Sequence, residues 1–186
     1  MTNQAEETNQ NKKTFFEIIR FAIITLIIVI PIRAYVAQPF IVNGASMSPT
    51  FNTGEYLIVD ELSYYFTKPA RGEVVVFRYP NDPSKFFIKR IIGLPGESVI
   101  LNNDEIAIMQ NDDVIVLDES YIEHNQPYDP VRVDLSEEEY FVMGDNRDVS
   151  SDSRIWGPLD DNLLRGRVVL RLLPITKAGI WPGKIK

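Results

Sequence analysis

Hydrophobic residues fall into two patterns along this chain, and the change between them comes near residue 38. From Phe15 to Ile32 the chain is apolar apart from Glu17, Arg20 and Thr25, with no polar stripe at helical spacing. An element apolar on every side is not an amphipathic surface helix. The uncharged part, Phe21–Ile32, is short for a membrane span, which takes about 20 residues. Counting from Thr14 restores the length, with Glu17 and Arg20 near the headgroups, where the long arginine stem lets its charge snorkel to water. Beyond residue 38 the apolar runs shorten and alternate with turn residues. Tyr56–Val59, Val74–Phe77, Phe86–Leu94, Ser98–Leu101, Glu105–Met109, Val114–Leu117, Tyr140–Met143 and Arg167–Leu173 read as strands, rich in β-branched and aromatic residues. Thr53-Gly54, Pro80-Asn81-Asp82-Pro83, Pro95-Gly96 and Asn102-Asn103-Asp104 punctuate them, the last as a hairpin turn. Ser136-Glu137-Glu138-Glu139 has the form of a capping box, but the apolar run behind it is too short for a helix. The expectation is an all-β domain of barrel or sandwich type, built from short strands behind one N-terminal transmembrane helix.

Two other readings of the N-terminal run compete with a membrane span. One is a buried core helix. The other is a cleaved export signal, which needs small residues at the first and third positions before the cut. Ala37 has Tyr35 at that spacing and Ala34 has Ile32, so an uncleaved anchor fits better. Lys12, Lys13 and Arg20 precede the uncharged run and Arg33 alone follows it. The positive-inside rule then puts the N-terminus in the cytoplasm and the remainder on the outer face of a cytoplasmic membrane, single-pass. The chain divides into a tail over 1–13, an anchor over 14–37 and an extracytoplasmic domain over 38–186.

Composition narrows the classes of function. The 186 residues carry a formal net charge of -7, which argues against a surface that tracks phosphates, so nucleic acid is not an expected partner. Much of the acidic excess lies at Asp112, Asp113, Asp118, Glu119, Glu123 and Glu137–Glu139, and reads as a solvated face. With no cysteine, thiol catalysis, disulfides and cysteine-bound metal are excluded. The acidic residues lack EF-hand spacing, and no cofactor or metal is expected.

Three segments hold candidate chemistry. Gly44-Ala45-Ser46-Met47-Ser48-Pro49-Thr50 is a small-residue turn that presents a serine just after the anchor. The single histidine, His124, lies in a polar stretch away from any motif, so Ser46 needs another base. Lys89 lies in Phe86-Phe87-Ile88-Lys89-Arg90-Ile91-Ile92, where strand alternation puts Phe87, Lys89 and Ile91 on one face. A lysine between two apolar neighbours either snorkels or is buried. Burial lowers its pKa from about 10.4, and at about 8 roughly a tenth would be free amine at neutral pH. The third segment, Gly144 to Arg154, is a dense run of acids, bases and hydroxyls that leaves an apolar strand. By itself it reads as a solvated loop with an Asx turn.

Together these segments resemble the bacterial type I signal peptidases, the leader peptidases with a serine–lysine dyad. The resemblance covers roughly residues 14–174. It rests on an N-terminal anchor, Ser46-Met47-Ser48-Pro49-Thr50, Arg71-Gly72-Glu73-Val74-Val75-Val76-Phe77, Lys89-Arg90-Ile91-Ile92-Gly93-Leu94-Pro95-Gly96-Glu97, and Gly144-Asp145-Asn146-Arg147 with Ser150, Asp152, Ser153 and Arg154, in the family order. It implies Ser46 as nucleophile, Lys89 as general base and Ser150 as the residue that orients the lysine. Arg90 with Asp145, and Asp152 with Arg154, match salt bridges that support the site. The backbone N–H of Ser46 matches an oxyanion donor. Gly44 stands where some members carry a serine hydroxyl, so a second donor must come from backbone or water.

The resemblance further implies cleavage of exported preproteins after small side chains at the first and third positions before the cut, the Ala-X-Ala pattern. Phe40, Val42, Met47, Phe51, Phe87 and Ile88 match the shallow substrate pockets, and Phe40 and Ile41 are candidates to rest the domain on lipid. Residues 98–135 correspond to a variable β insert. Two alternatives stay open. A self-cleaving repressor-type peptidase shares the serine–lysine β fold, but an anchor occupies the place of its helix-turn-helix. A tethered peptide-binding β domain has no need of Ser46, Lys89 and Ser150 together.

Overall fold

A computed structural model describes residues 15–27, 29, 37–103, 105–111, 113–122 and 127–185. The chain forms two compact units, Met1–Gln38 and Pro39–Lys186. In the first, α1 spans 15–27, and all its described side chains are exposed, Phe15, Phe16 and Phe21 among them. The expected anchor over 14–37 lies partly outside the described residues. No helix among the described residues is long and apolar enough to cross a membrane.

The second unit is all β with short helical turns, as the strand pattern predicts. Its strands in chain order are β1 Ala37–Ile41, β2 Tyr56–Asp60, β3 Val74–Tyr79, β4 Asp82–Gly93, β5 Ser98–Asn103, β6 Glu105–Gln110, β7 Asp113–Val116, β8 Tyr128–Asp134, β9 Glu139–Met143, β10 Leu159–Asp160, β11 Leu164–Leu173 and β12 Gly179–Ile180. A large sheet has the order β1-β2-β11-β3-β4-β9-β10, with β12 on β11. A smaller sheet, β7-β6-β5-β8, occupies the span expected as the insert. Between β9 and β10 the one-turn helix α2, Ser153–Trp156, begins at the N-cap Asp152.

Each predicted strand is present, several of them longer than their apolar runs. β3 and β4 pair antiparallel from Val74↔Arg90 to Tyr79↔Asp82, so Pro80 and Asn81 alone make the turn. Pro83 sits inside β4, next to its first residue, close to the strand start where a missing N–H is tolerated. β5 and β6 meet at Asn102↔Glu105, the hairpin expected from Asn102-Asn103-Asp104, and Asn103 takes a φ of 50°. β8 escaped the sequence reading because Tyr128–Asp134 is mostly exposed, and its charged residues hide the alternation. The capping-box sequence closes a turn instead of a helix. Ser136 N–H donates to Glu139 Oε2 at 2.9 Å, directly before β9.

Three apolar clusters form the interior. Phe51, Leu57, Val59, Val74 and Val168 pack behind the Ser46 turn. Val75, Phe77, Ile91, Tyr140 and Val142 fill the opposite face of the β3–β4 pair. Val99, Leu101, Ile106, Ile108 and Phe141 join the insert to β9. At Gly166 of β11 the neighbouring backbone comes so close that a Cβ would overlap the Asp60 carbonyl. Gly166→Ala is therefore expected to lower stability by about 1–3 kcal/mol through overpacking. Thermal unfolding of the two forms checks this, and an unchanged midpoint would count against the close approach.

Candidate active site

The Ser46 turn follows β1 and is built by local hydrogen bonds. Ser48 N–H donates to Ala45 O at 3.1 Å and Phe51 N–H to Met47 O at 2.8 Å. Gly44 takes a φ of 98° with no neighbour near a would-be Cβ, so glycine serves here for its left-handed backbone and not for space. Among the described residues the Ser46 N–H donates to no protein group, while its carbonyl accepts from Asn146 N–H at 3.0 Å.

β4 supplies the cation. Lys89 Nζ lies 2.7 Å from Ser46 Oγ and 2.9 Å from Ile88 O. The side chain is 3% exposed and lies 5.4 Å from the Phe87 ring centroid. Burial is the largest influence on the amine and brings its pKa down to about 8, against the upward pull of Asp152 and Asp145. The alternation that turns Lys89 toward Ser46 turns Arg90 the other way. Arg90 is 1% exposed and pairs with Asp145 through Nε at 2.8 Å and Nη2 at 2.6 Å. Its Nη1 donates to Gly72 O and Gly183 O, and Thr50 Oγ1 donates to Asp145 at 2.5 Å. The second expected pair is also present. Arg154 Nε and Nη2 donate to Asp152 at 2.8 and 2.9 Å, and Asp152 accepts from Gly144 N–H at 3.0 Å.

Ser150 is placed differently from the expectation. Its Oγ is buried beside Gly144 and makes no hydrogen bond among the described residues. The second contact of the lysine goes to Ile88 O instead, a carbonyl one residue back on its own strand. Sequence offers no signal for such a bond, because every residue has a carbonyl. Gly144 is needed for space: a Cβ there would overlap both Ser150 Oγ and Ser46 O. His124 lies outside the described residues.

A cleft of ≈ 580 Å³ runs past Ser46 and Lys89, within the size range of ligand pockets. Phe40, Val42, Phe87 and Ile88 line it, as expected, and so do Leu57, Val76, Phe86 and Val149, which sequence reasoning missed. Met47 and Phe51 do not line it and are corrected. At 1% and 0% exposure they fill the core behind the turn, because the Ser46 turn folds its following residues inward.

Known proteins match this chain in sequence. Residues 15–173 match the family described as signal peptidase, peptidase S26. A probable signal peptidase I-2 from Synechocystis sp. is 34% identical over 96% of this chain and 84% of its own length. The chain belongs to the signal peptidase I family. It is accordingly a serine peptidase, a hydrolase acting on signal peptides. A signal peptidase I from Bacillus licheniformis is 35% identical over 80% of this chain and 83% of its own. A crystal structure of a signal peptidase I from Enterococcus faecalis V583 is 30% identical, covering 54% of this chain and 97% of that one, at a TM-score of 0.46.

Removing one member of the buried Arg90–Asp145 pair strands the other charge. Arg90→Ala is expected to lower folding stability by about 3–5 kcal/mol. Arg90→Met with Asp145→Leu should recover part of that loss, since neither charge is then left alone. Urea unfolding reads both, and a single variant as stable as the parent would contradict the pairing.

Proposed function

We propose that this signal peptidase works through Ser46 and Lys89 and cuts exported preproteins after an Ala-X-Ala site. The observation that carries this reading is the 2.7 Å contact between Ser46 Oγ and a buried Lys89 amine whose pKa is brought down to about 8. The neutral amine has a lone pair for the Ser46 proton, and at 2.7 Å the transfer needs no rearrangement. Ser46 Oγ then attacks the scissile carbonyl, and the oxyanion that forms lies against the unused Ser46 N–H. The new ammonium returns its proton to the leaving amine. Water hydrolyses the acyl-enzyme with the same amine as base. Ser150 Oγ, buried beside Gly144 and without a hydrogen-bond partner among the described residues, is the hydroxyl that in this reading orients the amine.

The same cleft supports the specificity. Phe40, Val42, Phe87 and Ile88 fill space that large side chains before the cut would need, leaving room for small ones. In this reading residues 14–37 anchor the chain in the cytoplasmic membrane, the tail over 1–13 stays inside, and the domain over 38–186 meets preproteins at the outer lipid surface. The many apolar residues of α1 and exposed Ile41 support that placement.

Lys89→Ala is expected to slow cleavage of an Ala-X-Ala precursor by about 10²–10⁴-fold, and Ser46→Ala by more. The pH profile carries the sign: the base is active only when neutral, so activity climbs as pH rises toward about 8 and levels off above it. Steady-state cleavage across pH tests both. A near-normal rate in either variant, or a limb at the histidine value of about 6.5, would sink the proposal.

A further inference from the structure

The insert sheet reaches the nucleophile through a buried charge pair. After β7 the chain runs across 117–122 toward the Gly144–Arg147 turn. Glu119 reads in the sequence as part of a solvated acidic face, but its side chain, 9% exposed, lies against Arg147, accepting from Nη1 at 3.0 Å and Nη2 at 2.5 Å. Arg147 is itself 3% exposed, and the insert also supplies it with the hydroxyls of Tyr121 and Tyr128. The remaining donor, Nε, is committed to Gly144 O at 2.9 Å. Two residues along, Asn146 N–H holds Ser46 O. Gly144 leaves no room for a Cβ against Ser46 O, so the turn and the nucleophile backbone are in direct contact. Tyr121 makes a second tie, its ring 4.3 Å from the Arg90 guanidinium that grips Asp145.

We infer that Glu119 is a positioning residue: by fixing Arg147 it sets the Gly144–Arg147 turn and, through it, the backbone of Ser46. This rests on Ser46 being the nucleophile. Without Glu119 the Arg147 guanidinium would be buried without its carboxylate, a state that drives it to move. Close packing passes that movement to the turn, since no void lies between Gly144 and Ser46. Substrate binding lies elsewhere, as no described insert residue lines the cleft.

The test is steady-state kinetics of the full chain on a signal-peptide-bearing precursor, with the folded fraction measured for each variant. Glu119→Ala and the isosteric Glu119→Gln are expected to lower kcat per folded molecule by about 10- to 100-fold. KM should stay within about threefold, because the cleft that binds substrate is not part of the turn. Glu119→Asp should recover part of the rate. A kcat within about twofold of the parent in folded Glu119→Gln overturns the inference, as does a loss of rate fully explained by unfolding. Lys89→Ala run in parallel separates the two readings. An active Lys89→Ala enzyme refutes the lysine base, whereas an inactive one beside a normal Glu119→Gln enzyme refutes only the positioning role.

Discussion

The guanidinium of Arg90 ties together segments that are far apart in sequence. It bonds Asp145 from the β9–α2 loop, Gly72 O ahead of β3 and Gly183 O near the end of the chain, while Thr50 from the Ser46 turn shares the same carboxylate. A buried charge of this kind is tolerated only when its donors are matched, so each partner must be in place for the others to be stable. Because β4 alternates, anchoring Arg90 on one face also fixes the direction of Lys89 on the other. The geometry at Ser46 therefore depends on an ion pair that never touches the serine.

The carboxylates of the two ion pairs also bear on how the lysine titrates. Asp152 and Asp145 both act to keep Lys89 protonated, and Arg154 acts against them. Each is already engaged by its own arginine, Arg90 or Arg154. With the carboxylates satisfied, burial dominates and the amine is brought down to about 8. Support and tuning meet at Arg154, which pairs with Asp152 and also acts to lower the lysine pKa.

Much of the fold was legible along the chain. Runs such as Val74–Phe77 and Tyr140–Met143 pack on both faces, so their composition announces them. β8 is an edge strand with most of its side chains in solvent, and edges carry little pattern. The site was legible where residue type limits the chemistry. A serine with no cysteine or histidine in its motifs needs another base, and Lys89 stood between apolar neighbours. The contacts of Ser150, Glu119 and Met47 were not legible, because they depend on which surfaces meet. A glutamate in an acidic stretch looks solvated until another loop brings an arginine to it.

Residue order alone determined the alternation of β4, which separates Lys89 from Arg90 by one residue and sends them to opposite faces. It also determined the small-residue turn at Gly44–Thr50 and most of the strands of the large sheet, because these follow from local sterics and periodicity. Only the tertiary structure decided that Lys89 meets Ser46 across 43 residues of chain, that Ile88 O shares the lysine, and that the insert holds Arg147. Those outcomes depend on burial, and burial belongs to the packed assembly: a charge becomes costly, and an amine becomes neutral, only once other segments have excluded water from it.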